Sequence, residues 1–118
     1  MKIKNSRLLK KEIARFKREL QHSVNDETVL CRIAQCYIDL GDFRTALLYL
    51  KRALRVNPQD KAILDTLGIA YTDMAMLAWR KGQKKKARGY AKSAIKVYKK
   101  IKDALYLQFE RFYLKDIL

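Results

Sequence analysis

The sequence predicts an all-α fold in which antiparallel helical hairpins stack between an N-terminal capping helix and a long C-terminal helix. Three observations predict it. One proline and four glycines among 118 residues leave few breaks, and the abundant Ala, Leu, Lys and Arg are strong helix formers. Apolar residues recur at intervals of three and four, the period of a helix with one buried face. Leu30, Ile33, Ala34 and Tyr37 recur as Leu64, Leu67, Gly68 and Tyr71, at a constant offset of 34 residues. With 49% apolar residues the chain buries a core without a metal or disulfide framework, so residues 1–118 are expected to form one domain.

The first helix, residues 5–22, starts near Asn5 or Ser6, either of which accepts a hydrogen bond from a first-turn amide. Its stripe is Leu9, Ile13, Phe16 and Leu20, with Arg7, Lys11 and Arg18 on the opposite side. Polar residues 21–26 end it, and Asn25 or Asp26 caps a second helix whose apolar residues are Leu30, Ile33, Ala34 and Tyr37. Gly41 stops that helix, since glycine takes the left-handed conformation found just past helix ends. A third helix runs from about Phe43 to Val56 with Ala46, Leu47, Leu50, Ala53 and Leu54 inward. Asn57-Pro58 closes it, because proline disfavours helix in the residue before it. A fourth, from about Lys61 to Lys81, buries Leu64, Leu67, Gly68, Tyr71, Ala75 and Ala78 and ends at Gly82. Beyond Gln83, Ala87, Ala91, Ala94, Tyr98, Ile101, Leu105 and Phe112 hold one phase, which predicts a single helix from about 83 to 116; the alternative is a break near Lys102-Asp103.

A 34-residue period with apolar, apolar-small and aromatic residues in its first helix is the signature of one repeat class. Residues 27–60 resemble the tetratricopeptide repeat family throughout: Leu30 stands where that pattern has tryptophan, Ile33-Ala34 replaces Leu-Gly, Tyr37 matches, and Gly41, Ala46, Leu50, Ala53 and Pro58 follow in step. The resemblance implies a short tetratricopeptide-like α-solenoid, with a capping helix (5–22), a regular repeat (27–60), an elongated repeat (61–101) and a C-terminal helical extension (102–118). Small residues allow the two helices of a hairpin to approach closely, which pairs Ala34 with Ala46 and Gly68 with a later alanine. The second unit departs from the family: Tyr71 to Gly82 spans eleven residues where Tyr37 to Gly41 spans four. Seven extra residues are two helical turns, which lengthen the helix while nearly preserving its buried face. If the partner helix lengthens equally, Ala94 and Tyr98 become the equivalents of Ala46 and Leu50. The tip, Met74 to Lys86, then reaches about 10 Å further than its neighbour at 1.5 Å per residue. Phe16 lies 34 residues before Leu50, the second-helix slot of a unit whose first helix is missing, which explains Glu12 and Glu19 where small residues are otherwise needed.

In the family the first helices line a concave groove that receives a peptide or a partner helix. Here the resemblance puts Thr28, Cys31, Gln35, Asp39, Asp65, Ile69, Thr72 and Asp73 on that surface, a mildly acidic set; the competing reading is a solvated face. Members that bind the C-terminal carboxylate of chaperones use Lys, Asn and Arg there, whereas this chain has Cys31, Gln35 and Thr66 at comparable places, which argues against that specificity.

The net charge of +15 is concentrated. Residues 1–20 carry +6 and residues 80–102 carry +11, with no acid in the second segment. Lys85, Arg88, Lys92, Lys96 and Lys99 form a ladder at spacings of three and four along about 21 Å of one helix edge. Each such like-charged pair costs roughly 0.2 to 0.5 kcal/mol. The ladder, with Arg7, Lys11 and Arg18 of the first helix, suits an anion: phosphate of nucleic acid, an anionic membrane or an acidic protein. The plainer reading is a solubilising outer face. No RNA-binding signature with stacking aromatics accompanies it. Met76, Leu77, Trp79, Phe109, Phe112 and Tyr113 exceed what one hairpin stack covers and mark either a partner interface, including a second copy of the chain, or a tail that seals the open end of the stack.

Catalytic patterns are sparse. His22 sits in a loop without a partner at motif spacing, and Gly82 with Gly89 lacks the strand and Lys-Ser context of a phosphate loop. Cys31 and Cys36, about 140° apart on a helix, are expected as reduced thiols on different faces, with no metal and no cofactor. No secretion signal or membrane-spanning run is recognisable, and the expected location is cytoplasmic. The function expected from the family resemblance is that of a non-catalytic adaptor, scaffold or assembly factor. The alternative is a basic nucleic-acid- or ribosome-associated protein binding phosphate through the ladder.

Overall fold

The structure, a computed structural model, describes residues 5–101 and 114–118. Five α-helices stand among the described residues: α1 (Ser6–His22), α2 (Glu27–Leu40), α3 (Phe43–Val56), α4 (Lys61–Arg80) and α5 (Lys84–Ile101). Two compact units divide the chain, Met1–Ile63 and Leu64–Leu118.

In the first unit each helix boundary has a visible cause. Asn5 caps α1 through its side chain, which accepts from the Arg7 amide at 2.8 Å. Asp26 caps α2 by accepting from the Thr28 and Val29 amides at 3.0 and 3.2 Å. Asp42 caps α3 through the Thr45 amide and hydroxyl. Gly41 takes φ 82°, and the amides of Gly41 and Asp42 return to the carbonyls of Ile38 and Tyr37, closing α2 in the left-handed turn that β-carbon crowding denies most residues. Asn57, turned out of the helical region ahead of Pro58, ends α3.

α1 buries Leu9, Ile13, Phe16 and Leu20, the stripe its spacing predicts. α2 packs between α1 and α3, so it is buried on two sides: Leu30, Ile33 and Ala34 are fully enclosed, and Val29, Cys31, Cys36 and Ile38 are buried as well. Against it α3 contributes Ala46, Leu50 and Ala53, each with no exposed surface, while Leu47 and Leu54 are half-buried. A polar chain crosses the three helices near their surface. Lys17 on α1 donates to the Tyr37 hydroxyl at 3.1 Å, Tyr37 on α2 stacks on Tyr49 of α3 with centroids 5.8 Å apart, and the Arg52 guanidinium lies 5.6 Å from the Tyr49 ring. Arg52 also donates to the Val24 carbonyl, tying α3 to the α1–α2 loop.

The second unit repeats the inward pattern. Leu64, Leu67 and Gly68 are buried and Tyr71 half-buried, the same sequence of environments as Leu30, Ile33, Ala34 and Tyr37. Gly82 ends α4 at φ 77°. The two extra turns of α4 pack through alanine: Ala75 and Ala78 join Ala87, Ala91 and Ala94 of α5 in one cluster with Ile95 and Tyr98.

Two expectations need correction in this unit. The neighbour of Gly68 is a ring, not an alanine: a methyl group built on Gly68 would lie 2.5 Å from Cζ and 3.0 Å from Cδ1 of Tyr98. The Tyr98 ring leaves no room for even one more carbon opposite. A single straight helix from 83 to 116 is also not formed. Leu114 and Ile117 are buried in the same cluster as Ala87 and Tyr98, and Leu118 lies beside Lys92 and Ile95. In a straight helix Leu118 would stand about 35 Å from Ile95 at 1.5 Å per residue. The alternative break near residue 102 falls in 102–113, outside the described residues.

Candidate functional site

The first unit carries an open cleft of about 500 Å³. One wall is α1, through Glu12, Arg15 and Phe16; the floor is α2, through Thr28, Cys31, Gln35 and Asp39; Asp60, Ala62 and Ile63 close the far side. Thr28, Cys31, Gln35 and Asp39 are the four residues of this unit assigned to the groove by family resemblance, and all four line it. They do so because a helix brings positions 28, 31, 35 and 39 to one edge, the edge that neither α1 nor α3 covers. Thr28 and Gln35 are exposed, Asp39 is half-buried and Cys31 is buried.

Sequence reasoning missed the contribution of α1 and of the α3–α4 turn. Phe16 is buried in the α1 stripe, and the guanidinium carbons of Arg15 and Arg32 lie 4.9 and 6.0 Å from its ring centre. The lining carboxylates are Glu12, Glu27, Asp39 and Asp60, against the guanidiniums of Arg15 and Arg32, so acid exceeds base. Glu12 stood out in the sequence only as an acid where a small residue was expected. In the fold it accepts from the Cys36 thiol at 3.6 Å. Cys31 and Cys36 are thiols outside any disulfide, and both are buried. Despite their angular separation on α2 both line the cleft. Asp60 accepts from the Ile63 amide at 3.1 Å, which fixes the first turn of α4 at the cleft edge.

Next to this site Lys17 holds its proton more tightly than an ordinary lysine, above its usual value of 10.5. The first cause is its hydrogen bond to Tyr37; desolvation opposes it, and smaller contributions from Tyr49 and Tyr37 act in the same direction as the hydrogen bond.

The groove residues assigned to the second unit differ among themselves. Ile69 is 40% exposed, Asp65 and Asp73 are half-buried, and Thr72 is buried with a hydroxyl that has no hydrogen-bond partner among the described residues. Of the expected apolar interface, Met76 is exposed and Leu77 half-buried. Trp79 packs against the alanine cluster, and its ring carries the Lys84 ammonium at 5.5 Å. Phe109, Phe112 and Tyr113 lie outside the described residues.

The ladder on α5 is realised as a surface. Lys85, Arg88, Lys92, Lys96 and Lys99 are all exposed, while Ala87, Ala91, Ala94, Ile95, Val97 and Tyr98 are buried on the other side of the same helix. Arg7, Lys11 and Arg18 are exposed on α1 in the first unit.

Among the described residues no helix is long and apolar enough to cross a membrane, and no group of three or more His, Cys, Asp or Glu side chains could hold a metal ion. No curated protein matches the chain. The family model described as Tetratricopeptide repeat matches residues 28–60. That span is the α2–α3 hairpin with its closing turn, in which Ala34, Ala46, Leu50 and Ala53 are wholly enclosed and Gly41 makes the turn. Over α2 and α3, about a quarter of its length, the chain is therefore similar to a tetratricopeptide repeat.

Proposed function

We propose that this protein is a non-catalytic interaction module, an adaptor or assembly factor that receives a peptide or helix of another protein in the cleft on α2. The observation that carries this reading is the convergence of Thr28, Cys31, Gln35 and Asp39 with Phe16 of α1 and Asp60 of the α3–α4 turn around one open space of about 500 Å³. That volume is within the range of small-ligand and side-chain pockets. The repeat at 28–60 supports it, because such repeats are in general protein-binding scaffolds. Four carboxylates against two guanidiniums favour a ligand segment with Lys or Arg. An apolar side chain of the ligand fits beside Phe16.

The test is selection of peptides from a random library on the full chain, followed by binding to a double variant, Thr28→Arg with Gln35→Arg. These exposed positions tolerate the longer side chain, which fills the cleft and cancels its excess of acid. Selected peptides enriched in basic residues should lose at least tenfold in affinity. Peptides that bind the variant as well as the parent chain would overturn the reading.

A further inference from the structure

We propose that the exposed edge of α5 is a docking face for the phosphate backbone of nucleic acid, bound without regard to base sequence. No residue of this face lines the cleft on α2, so the inference goes beyond the adaptor reading and stands or falls separately.

Four properties of the face support it. First, Lys85, Arg88, Lys92, Lys96 and Lys99 are all exposed, and they run in one line for about 21 Å. Duplex DNA presents one charge per roughly 1.7 Å of axis, so a rigid row of that length faces about a dozen phosphates and can engage one per side chain. Second, residues 80–102 contain eleven basic and no acidic residues. No internal acid competes from within that segment.

Third, the composition disfavours the other two anionic partners. Protein interfaces are depleted of lysine and anchored by aromatic residues. Here four of five positions are lysine. Membrane-surface helices need a free apolar face to enter the acyl boundary. The apolar face of α5 is instead spent inside the protein, with Ala87, Ala91 and Ala94 wholly enclosed and Tyr98 nearly so. Fourth, no aromatic side chain stands in the ladder to stack on a base, and Trp79 is half-buried under Lys84. Contacts limited to phosphate position a protein without reading sequence.

The experiment measures fluorescence anisotropy of the full chain with a mixed-sequence 20-base-pair DNA duplex and with a single strand of the same length, from 50 to 200 mM salt. Five phosphate contacts predict a log–log slope of about −4.5 on duplex and about −3.5 on single strand, so duplex affinity falls about 500-fold across that range. Replacing Lys85, Lys92, Lys96 and Lys99 with Gln should flatten the duplex slope by about 3.6 and leave only about a fourfold fall. Arginine at the same four positions should preserve both slope and affinity. A control with equal charge loss, Arg7, Lys10, Lys11 and Arg18 to Gln, should retain the parent slope to within about one contact. The proposal is overturned by no binding at 50 mM salt, by an unchanged slope in the glutamine variant, or by equal losses in ladder and control variants. Binding of phosphatidylserine vesicles or polyglutamate in place of either DNA would overturn it too. Circular dichroism of each variant confirms that the helices are intact, and the arginine variant separates loss of charge from loss of fold.

Discussion

Replacing Gly68 with alanine adds one carbon at the most crowded point of the second unit. The new methyl group would sit 2.5 Å from Cζ of Tyr98, 3.0 Å from Cδ1 and nearer still to Cε1. Ordinary carbon contacts begin at about 3.5 Å, so something must move by about 1 Å. The ring has little freedom to yield, since Tyr98 is only 1% exposed and is packed among Ala91, Ala94 and Leu114 in one cluster. Overpacking of this kind costs about 1 to 3 kcal/mol, and the tightness here points to the upper end. Alanine regains about 1 kcal/mol over glycine in a helix interior. The net expectation is a loss of about 2 kcal/mol, or about 8 °C in Tm for a chain of this size. The assay is urea unfolding of four proteins: the parent, Gly68→Ala, Tyr98→Leu and the double variant. Leucine at 98 removes the ring that crowds Gly68, so in that background Gly68→Ala should stabilise by about 1 kcal/mol. The coupling between the two sites should therefore approach 3 kcal/mol. A Gly68→Ala protein as stable as the parent, or a coupling near zero, would refute the steric account.

Other outcomes follow from the same structure. Leu114→Ala should cost about 3 kcal/mol in urea unfolding, because Leu114 has no exposed surface and joins the α4–α5 cluster; unchanged stability would show that the segment does not seal this unit. Asp26→Ala should lose about 1 kcal/mol by leaving the Thr28 and Val29 amides without their carboxylate acceptor. Because the folded pKa of Lys17 is raised first by Tyr37, its contribution to stability is complete below the lysine's ordinary value and is lost as pH rises through the folded one. Tyr37→Phe should therefore lower the Lys17 pKa measured by NMR of its side chain, and should remove that component of the alkaline loss of stability. Exchanging Lys92 and Lys96 for Gln should raise Tm by a few degrees at low salt by relieving like-charge repulsion along α5, with the gain disappearing as salt screens it.

How legible the protein was in its sequence depends on how local the determining physics is. The cap at Asn5, the left-handed turns at Gly41 and Gly82 and the closing of α3 ahead of Pro58 each depend on a few neighbouring residues, and each stands where sequence reasoning put it. The periodic stripes were equally readable, because 3.6 residues per turn convert spacing into a face. Harder to read were contacts between elements distant in the chain. Glu12 is an odd acid in a string of letters, and only the packing of α1 on α2 brings its carboxylate to the Cys36 thiol. The angular rule separated Cys31 from Cys36, and in the fold both line the cleft.

By itself the sequence determined the all-α class, the helix boundaries as far as Gly82, the 34-residue recurrence and the one-sided charge of α5, because each is encoded within one or two helical turns. Only the tertiary structure decided that Gly68 faces a tyrosine, that Phe16 and Asp60 complete the cleft on α2, and that Leu114 and Ile117 return to the α4–α5 core. The physical reason is that helical phase tells which side of an element is buried and nothing about which atoms fill the space opposite. That second question is settled by the volumes of side chains thirty residues apart competing for the same place.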